Sequence, residues 1–248
     1  MGSGGVRKNG YFRSGYQSQH SPWTKETHVT CFKGKVAVTT DDLVADLSRG
    51  LSAVRPSRHR LRLAVAAVAG LALSMILLLL IFGVRADFSP TSGPVLLKAV
   101  YGLTAAAATA PFLLEVSRPS TSVGREFLPI WIFAALNVLV GILVMVLTPL
   151  DLRMSAWTSD QFPECLYRIP LLSLPIAMAL TLAVRGLGAT RLTLAGSAIG
   201  AVSGSLAAIV YAGCCPADSI LYVVSWYLAS VLLCAAAGAV VLSRMLKW

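Results

Sequence analysis

The stretch from Arg55 to Val84, RPSRHRLRLAVAAVAGLALSMILLLLIFGV, decides how the rest of the chain is read. Its second part, Leu63 to Val84, is 22 residues without a charge. At about 1.5 Å of rise per residue, such a helix crosses a hydrocarbon layer of roughly 30 Å. Arg55, Arg58, Arg60 and Arg62 abut its N-terminal side, and arginines beside a first span resist translocation. The preceding chain is therefore expected in the cytoplasm, with Val84 on the opposite side.

Composition points the same way. Apolar residues make up 56% of the chain and charged residues only 13%, with a mean hydropathy of +0.73, which is too apolar for a soluble domain of this size. The net charge of +10 would ordinarily suggest nucleic acid as a partner. Here the basic residues sit before residue 63 and in short loops beside apolar runs, so topology and contact with membrane lipid explain them better. No P-loop, HExxH, GxSxG or pair of buried carboxylates is present, so the sequence offers no enzymatic centre and implies no cofactor. The five cysteines lack a repeated CxxC spacing, and no metal site is read from them.

Five further apolar segments follow the first. The expected fold is all-α, a polytopic membrane protein with spans at about 63–84, 95–116, 127–150, 167–184, 192–213 and 219–243 and both termini cytoplasmic. On this topology 17 of the 21 Lys and Arg residues lie on the cytoplasmic side and 4 on the other, as the positive-inside rule requires. Lys98 and Glu115 fall near the ends of the second span, where long side chains reach an interface. His20, His28 and His59 belong to the head and are expected to be solvated. Gly196, Gly200 and Gly204 form a small-residue stripe that lets another helix backbone approach closely.

The chain before the first span divides in two. Residues 1–37 are polar and lack apolar periodicity, the composition of a disordered tail. Val36 or Val38 would serve as a bacterial start, which would make this tail a mis-called extension. Residues 38–60 carry an amphipathic helix signal: a threonine cap, aspartates in the first turn, and Pro56 as its expected end. Leu43, Leu47, Leu51 and Val54 share one stripe, edged by Asp41, Asp42 and Asp46. A helix this short is marginal alone in water, and its acidic edge does not suit an anionic leaflet. The segment is expected to dock on a protein partner.

On the same topology Cys165, Cys214 and Cys215 stand at the outer membrane boundary, in an oxidising compartment. A bridge from Cys165 to Cys215 would clip the fourth and fifth spans together, whereas a Cys214–Cys215 bridge is strained. A structural staple and thiols that stay reduced are the plainer alternatives. Cys234, in mid-span, reads as a small packing residue.

Several local patterns then converge: TTDDLVADLSRGLSAVRP with its arginine cluster, six spans, the isolated Cys165, the run Cys215-Pro216-Ala217-Asp218-Ser219 leading to Trp226-Tyr227, and the terminal Arg244 to Trp248. Together, over about residues 38–248, they resemble the NrsF family of bacterial inner-membrane anti-sigma factors. The resemblance implies a negative regulator whose cytoplasmic N-terminal segment sequesters an extracytoplasmic-function sigma factor. It also implies stress sensing, of oxidant or metal, by outer cysteines. It maps the sensing pair onto Cys165 and Cys215, with Cys214 as the alternative, and the sigma-binding segment onto Asp41, Asp42, Leu43 and Leu47, to which the apolar stripe adds Asp46, Leu51 and Val54. Two rival classes remain at this stage, a membrane thiol oxidoreductase and a small transporter. The missing CxxC argues against the first, and the absence of clear inverted repeats against the second.

Overall fold

The computed structural model describes residues 56–83, 92–118, 127–158, 164–185, 187 and 191–246. Among them there are no strands, and six helices are long and apolar enough to cross a membrane. We label the helices α1 (Pro56–Ile81), α2 (Gly93–Val116), α3 (Leu128–Leu147), the short α4 (Arg153–Thr158), α5 (Glu164–Arg185), α6 (Leu192–Tyr211) and α7 (Ile220–Met245). The expected amphipathic segment, with Asp41, Asp42, Leu43, Asp46, Leu47, Leu51 and Val54, lies outside the described residues, as does the tail before it.

The helix ends differ from the sequence reading for local reasons. The described part of α1 begins at Pro56, where the first turn of a helix tolerates a proline because no hydrogen bond is forfeited; the segment that Pro56 was expected to close lies outside the described residues. Arg58, Arg60 and Arg62 are thus part of the first spanning helix. At its other end Gly83 takes φ +68°, and the backbone N–H groups of Phe82 and Gly83 both donate to the Leu78 carbonyl. This left-handed glycine stops the helix three residues short of Val84. The third span ends at Leu147 instead of Leu150 because Thr148, which precedes Pro149, is extended with ψ 129°. A 3-10 turn, Leu150–Leu152, then leads into α4.

The bundle is built around α6, two thirds of whose apolar window is buried, against 6% for α3. α6 packs against α1, α2, α5 and α7, whereas α3 leans on α2 and the start of α7. The core follows the small residues. A Cβ added at Gly200 would lie 2.1 Å from the Cys234 carbonyl oxygen, and one at Gly196 would lie 2.4 Å from that of Gly238. The glycine stripe read from the sequence therefore faces α7, and Gly238, which the sequence reading did not single out, completes it from the other side. Close backbone approach of this kind replaces the hydrophobic effect as the source of helix association in lipid. α7 also contains two π-helical turns, Val223–Tyr227 and Gly238–Leu242. The second sits where the glycines meet.

The substitution Gly200→Val should destabilise the bundle by about 3 kcal/mol, because the added atoms meet backbone that has no room to give. Gly93→Ala, at a position with open space around it, should change stability little. Thermal melts of the two purified variants against wild type check this.

Candidate functional site

One end of the bundle gathers the chemistry-bearing residues. It is the end opposite the α1 arginines, where α2, α5 and α7 begin and α6 runs out. Cys165 lies in the first turn of α5, inside the helix rather than before it, and is 1% exposed. Cys215 lies in the segment between α6 and α7 and is equally buried. The two thiols belong to one buried cluster and stand within electrostatic reach of each other. Both are free thiols in this structure.

Three fully buried tyrosines surround them, Tyr211 from α6 and Tyr222 and Tyr227 from α7. The Tyr222 hydroxyl donates to Cys165 Sγ at 3.1 Å, and Ser230 Oγ donates to the Cys165 carbonyl at 3.3 Å. Tyr227 is turned toward Cys215, yet neither its hydroxyl nor that of Tyr211 reaches hydrogen-bond geometry with any described group. Trp157 of α4 stacks on Trp226, whose indole N–H donates to the Trp157 carbonyl at 2.9 Å.

Lys98 departs most from the sequence reading. Expected to reach an interface, it is instead 1% exposed. Its Nζ donates to the Cys215 carbonyl at 2.9 Å and forms an ion pair with Asp218 at 3.1 Å. The physical reason is topological: the segment after α6 folds over the first turns of α2 and supplies the acceptors that a lysine near hydrocarbon needs. No sequence pattern marks this pairing, because the partners are 117 and 120 positions apart. Asp218 is 44% exposed, so the group reaches from the buried thiols to the surface. Arg168, one turn after Cys165, pairs with Glu164 at 2.6 Å and lies over the Phe82 ring at 5.0 Å.

Cys214 is placed differently from its neighbour. It is half-buried, and its thiol points back to the Tyr211 carbonyl at 3.5 Å. Burial, reinforced by the adjacent Cys215, pushes this thiol up to about 11, which leaves it protonated and a poor nucleophile at neutral pH. Cys234 is buried far from the others, with its sulfur 3.6 Å from Ser173 Oγ. Among the described residues no three His, Cys, Asp or Glu side chains are arranged to hold a metal ion. At the opposite end His59, expected to be solvated, is buried, with Nε2 3.4 Å from the Leu114 carbonyl.

A helical membrane protein with two buried thiols held together at one end of the bundle is the class this geometry defines. Residues 47–248 match the NrsF family, described as negative regulator of sigma F. The chain is 30% identical over 218 residues to a probable anti-sigma-F factor NrsF of Azospira oryzae, an alignment covering 84% of this chain and 99% of that one. It is 31% identical over 225 residues to the anti-sigma-F factor NrsF of Caulobacter vibrioides, with the same coverage. The chain belongs to the NrsF family. No solved structure matches it.

Replacing Lys98 with methionine should leave the Cys215 carbonyl without its donor and free the segment that carries it. Alkylation of Cys215 should then run roughly tenfold faster, corresponding to about 1.4 kcal/mol of lost closure; mass-spectrometric labelling kinetics check it. For Cys214, a raised thiol reacts more slowly below its pKa, so its alkylation rate in the wild-type chain should still be climbing at about pH 10 instead of levelling off near the usual 8.5. Labelling at a series of pH values reads this directly.

Proposed function

We propose that this chain is a membrane-bound anti-sigma factor that holds an extracytoplasmic-function sigma factor through its cytoplasmic N-terminal segment and answers oxidant or metal stress through Cys165 and Cys215. The observation that carries this reading is the match of residues 47–248 to a family of negative regulators of sigma F. The charge asymmetry of the loops supports an inner-membrane topology with both termini in the cytoplasm. That topology sets the thiol end of the bundle in the oxidising compartment.

In this reading the leucine stripe Leu43, Leu47, Leu51 and Val54 enters a groove of the sigma factor, while Asp41, Asp42 and Asp46 meet its basic residues. Oxidation joins Cys165 to Cys215, with two electrons and two protons passing to the oxidant. Closing a loop of about 50 residues is worth about 4 kcal/mol in the chain-entropy account. Moving a partner from almost fully bound to almost fully released takes about 5.5 kcal/mol of differential energy; the loop-closure term restrains the unfolded chain, and only the part by which the bridge favours one folded arrangement over the other counts toward a switch in either direction.

α2 is the mechanical link this reading uses. At one end its Lys98 grips the Cys215 carbonyl, and near the other its Leu114 carbonyl meets His59 of α1, a few residues beyond the sigma-binding segment. A bridge that draws Cys215 toward α5 pulls on Lys98, and α2 passes the shift to the start of α1. The Tyr222 hydrogen bond to Cys165 must turn away as the bridge forms, which makes Tyr222 a gate on the reaction.

Membranes containing the full chain should retain the sigma factor in a pull-down. The double substitution Leu43→Asp, Leu47→Asp should weaken retention at least about 30-fold, equivalent to about 2 kcal/mol. Unchanged retention by that variant rejects the docking face.

A further inference from the structure

At the arginine end of the bundle, α1, α2, α5 and α6 leave between them an apolar cavity of about 310 Å³ that the function proposed above does not use. On α1 it is lined by Arg60, Leu63, Ala64 and Ala67, which stand at steps of three, one and three and so share one helix face. On α2 its wall includes Ala110 and Leu114, beside the proline at 111 inside that helix. Ala64, Ala67 and Ala110 put small side chains on its wall. An apolar void of this size forfeits packing contacts in proportion to its volume, and apart from Arg60 its lining side chains give water no partners. In a bilayer the material at hand to fill it is an acyl chain.

The mouth of the cavity specifies the rest of the molecule. Arg60 is exposed and has no ion-pair partner among the described residues. Arg58 and Arg62, both exposed, flank it on the same helix. A guanidinium at the rim of an otherwise apolar slot complements a phosphate joined to a hydrocarbon tail.

We infer that this cavity is a binding site for one acyl chain of an anionic phospholipid whose phosphate is held by Arg60. Bound there, the lipid wedges α1 against α2 just beyond the N-terminal segment. It is held by shape along the chain and by charge at the head.

The full-length protein, purified in mild detergent and reconstituted in nanodiscs, tests this by native mass spectrometry. Phosphatidylglycerol and phosphatidylcholine of identical acyl composition serve as the two probes. Wild type should retain one phosphatidylglycerol preferentially, and Arg60→Gln should lose roughly fivefold of that preference, the worth of about one arginine at the surface. Filling the slot with Ala67→Phe and Ala110→Leu should abolish retention of either lipid, and an unchanged or raised melting temperature would show that the bundle still folds. Should the filled variant melt lower, Ala110→Leu alone is the second variant, expected to reduce retention. Equal retention of both lipids by wild type, or undiminished retention by a folded slot-filled variant, overturns the inference. These readouts are independent of sigma-factor capture and of thiol oxidation.

Discussion

Much of this structure depends on how one lysine near hydrocarbon is satisfied. Lys98 is almost fully buried at the start of α2, and its amine finds the Cys215 carbonyl and the Asp218 carboxylate. A lysine so placed without acceptors would be expelled from the bundle. Because it has them, the segment between α6 and α7 is pinned over the end of the bundle, and Cys215 is set beside the first turn of α5, where Cys165 sits. The thiol pair is thus a consequence of a polar contact made by a helix that carries no cysteine.

The second constraint is the contact of α6 with α7. Lipid offers helices no hydrophobic incentive to associate, so close backbone packing must hold them. Gly196 and Gly200 meet Gly238 and the Cys234 carbonyl at distances that only glycine permits. With α7 fixed in this way, Tyr222 and Tyr227 fall into place around the cysteines. The π-helical turns at Val223–Tyr227 and Gly238–Leu242 lie in the tyrosine cluster and at the glycine contact respectively, as such turns often do at sites that serve a purpose beyond packing.

The sequence was most informative where the physics is local. Uninterrupted apolar length gave six spans, the resemblance gave the family, and the glycine stripe gave one packing face. Helix ends were legible only roughly, because Gly83 and Thr148 terminate their helices through a backbone conformation that hydropathy does not register. Lys98 and His59 were misread for a different reason. Their burial depends on acceptors contributed by distant parts of the chain, Cys215 and Asp218 for one and the Leu114 carbonyl for the other, and no spacing rule encodes such meetings. The neighbourhood of Cys165 and Cys215 was anticipated, whereas the tyrosine ring around them was not. Those tyrosines sit in apolar runs that look like ordinary span sequence.

On the function proposed above, Cys165 and Cys215 close on each other when the protein is oxidised, and the segment held by Lys98 carries the change. Non-reducing peptide mapping of the full chain in oxidant-treated membranes tests it most directly. The expected result is a single cross-linked species joining the Cys165 peptide to the Cys215 peptide, with Cys214 still open to alkylation. Recovery of Cys165 and Cys215 as separate, alkylatable thiols after oxidation would contradict it.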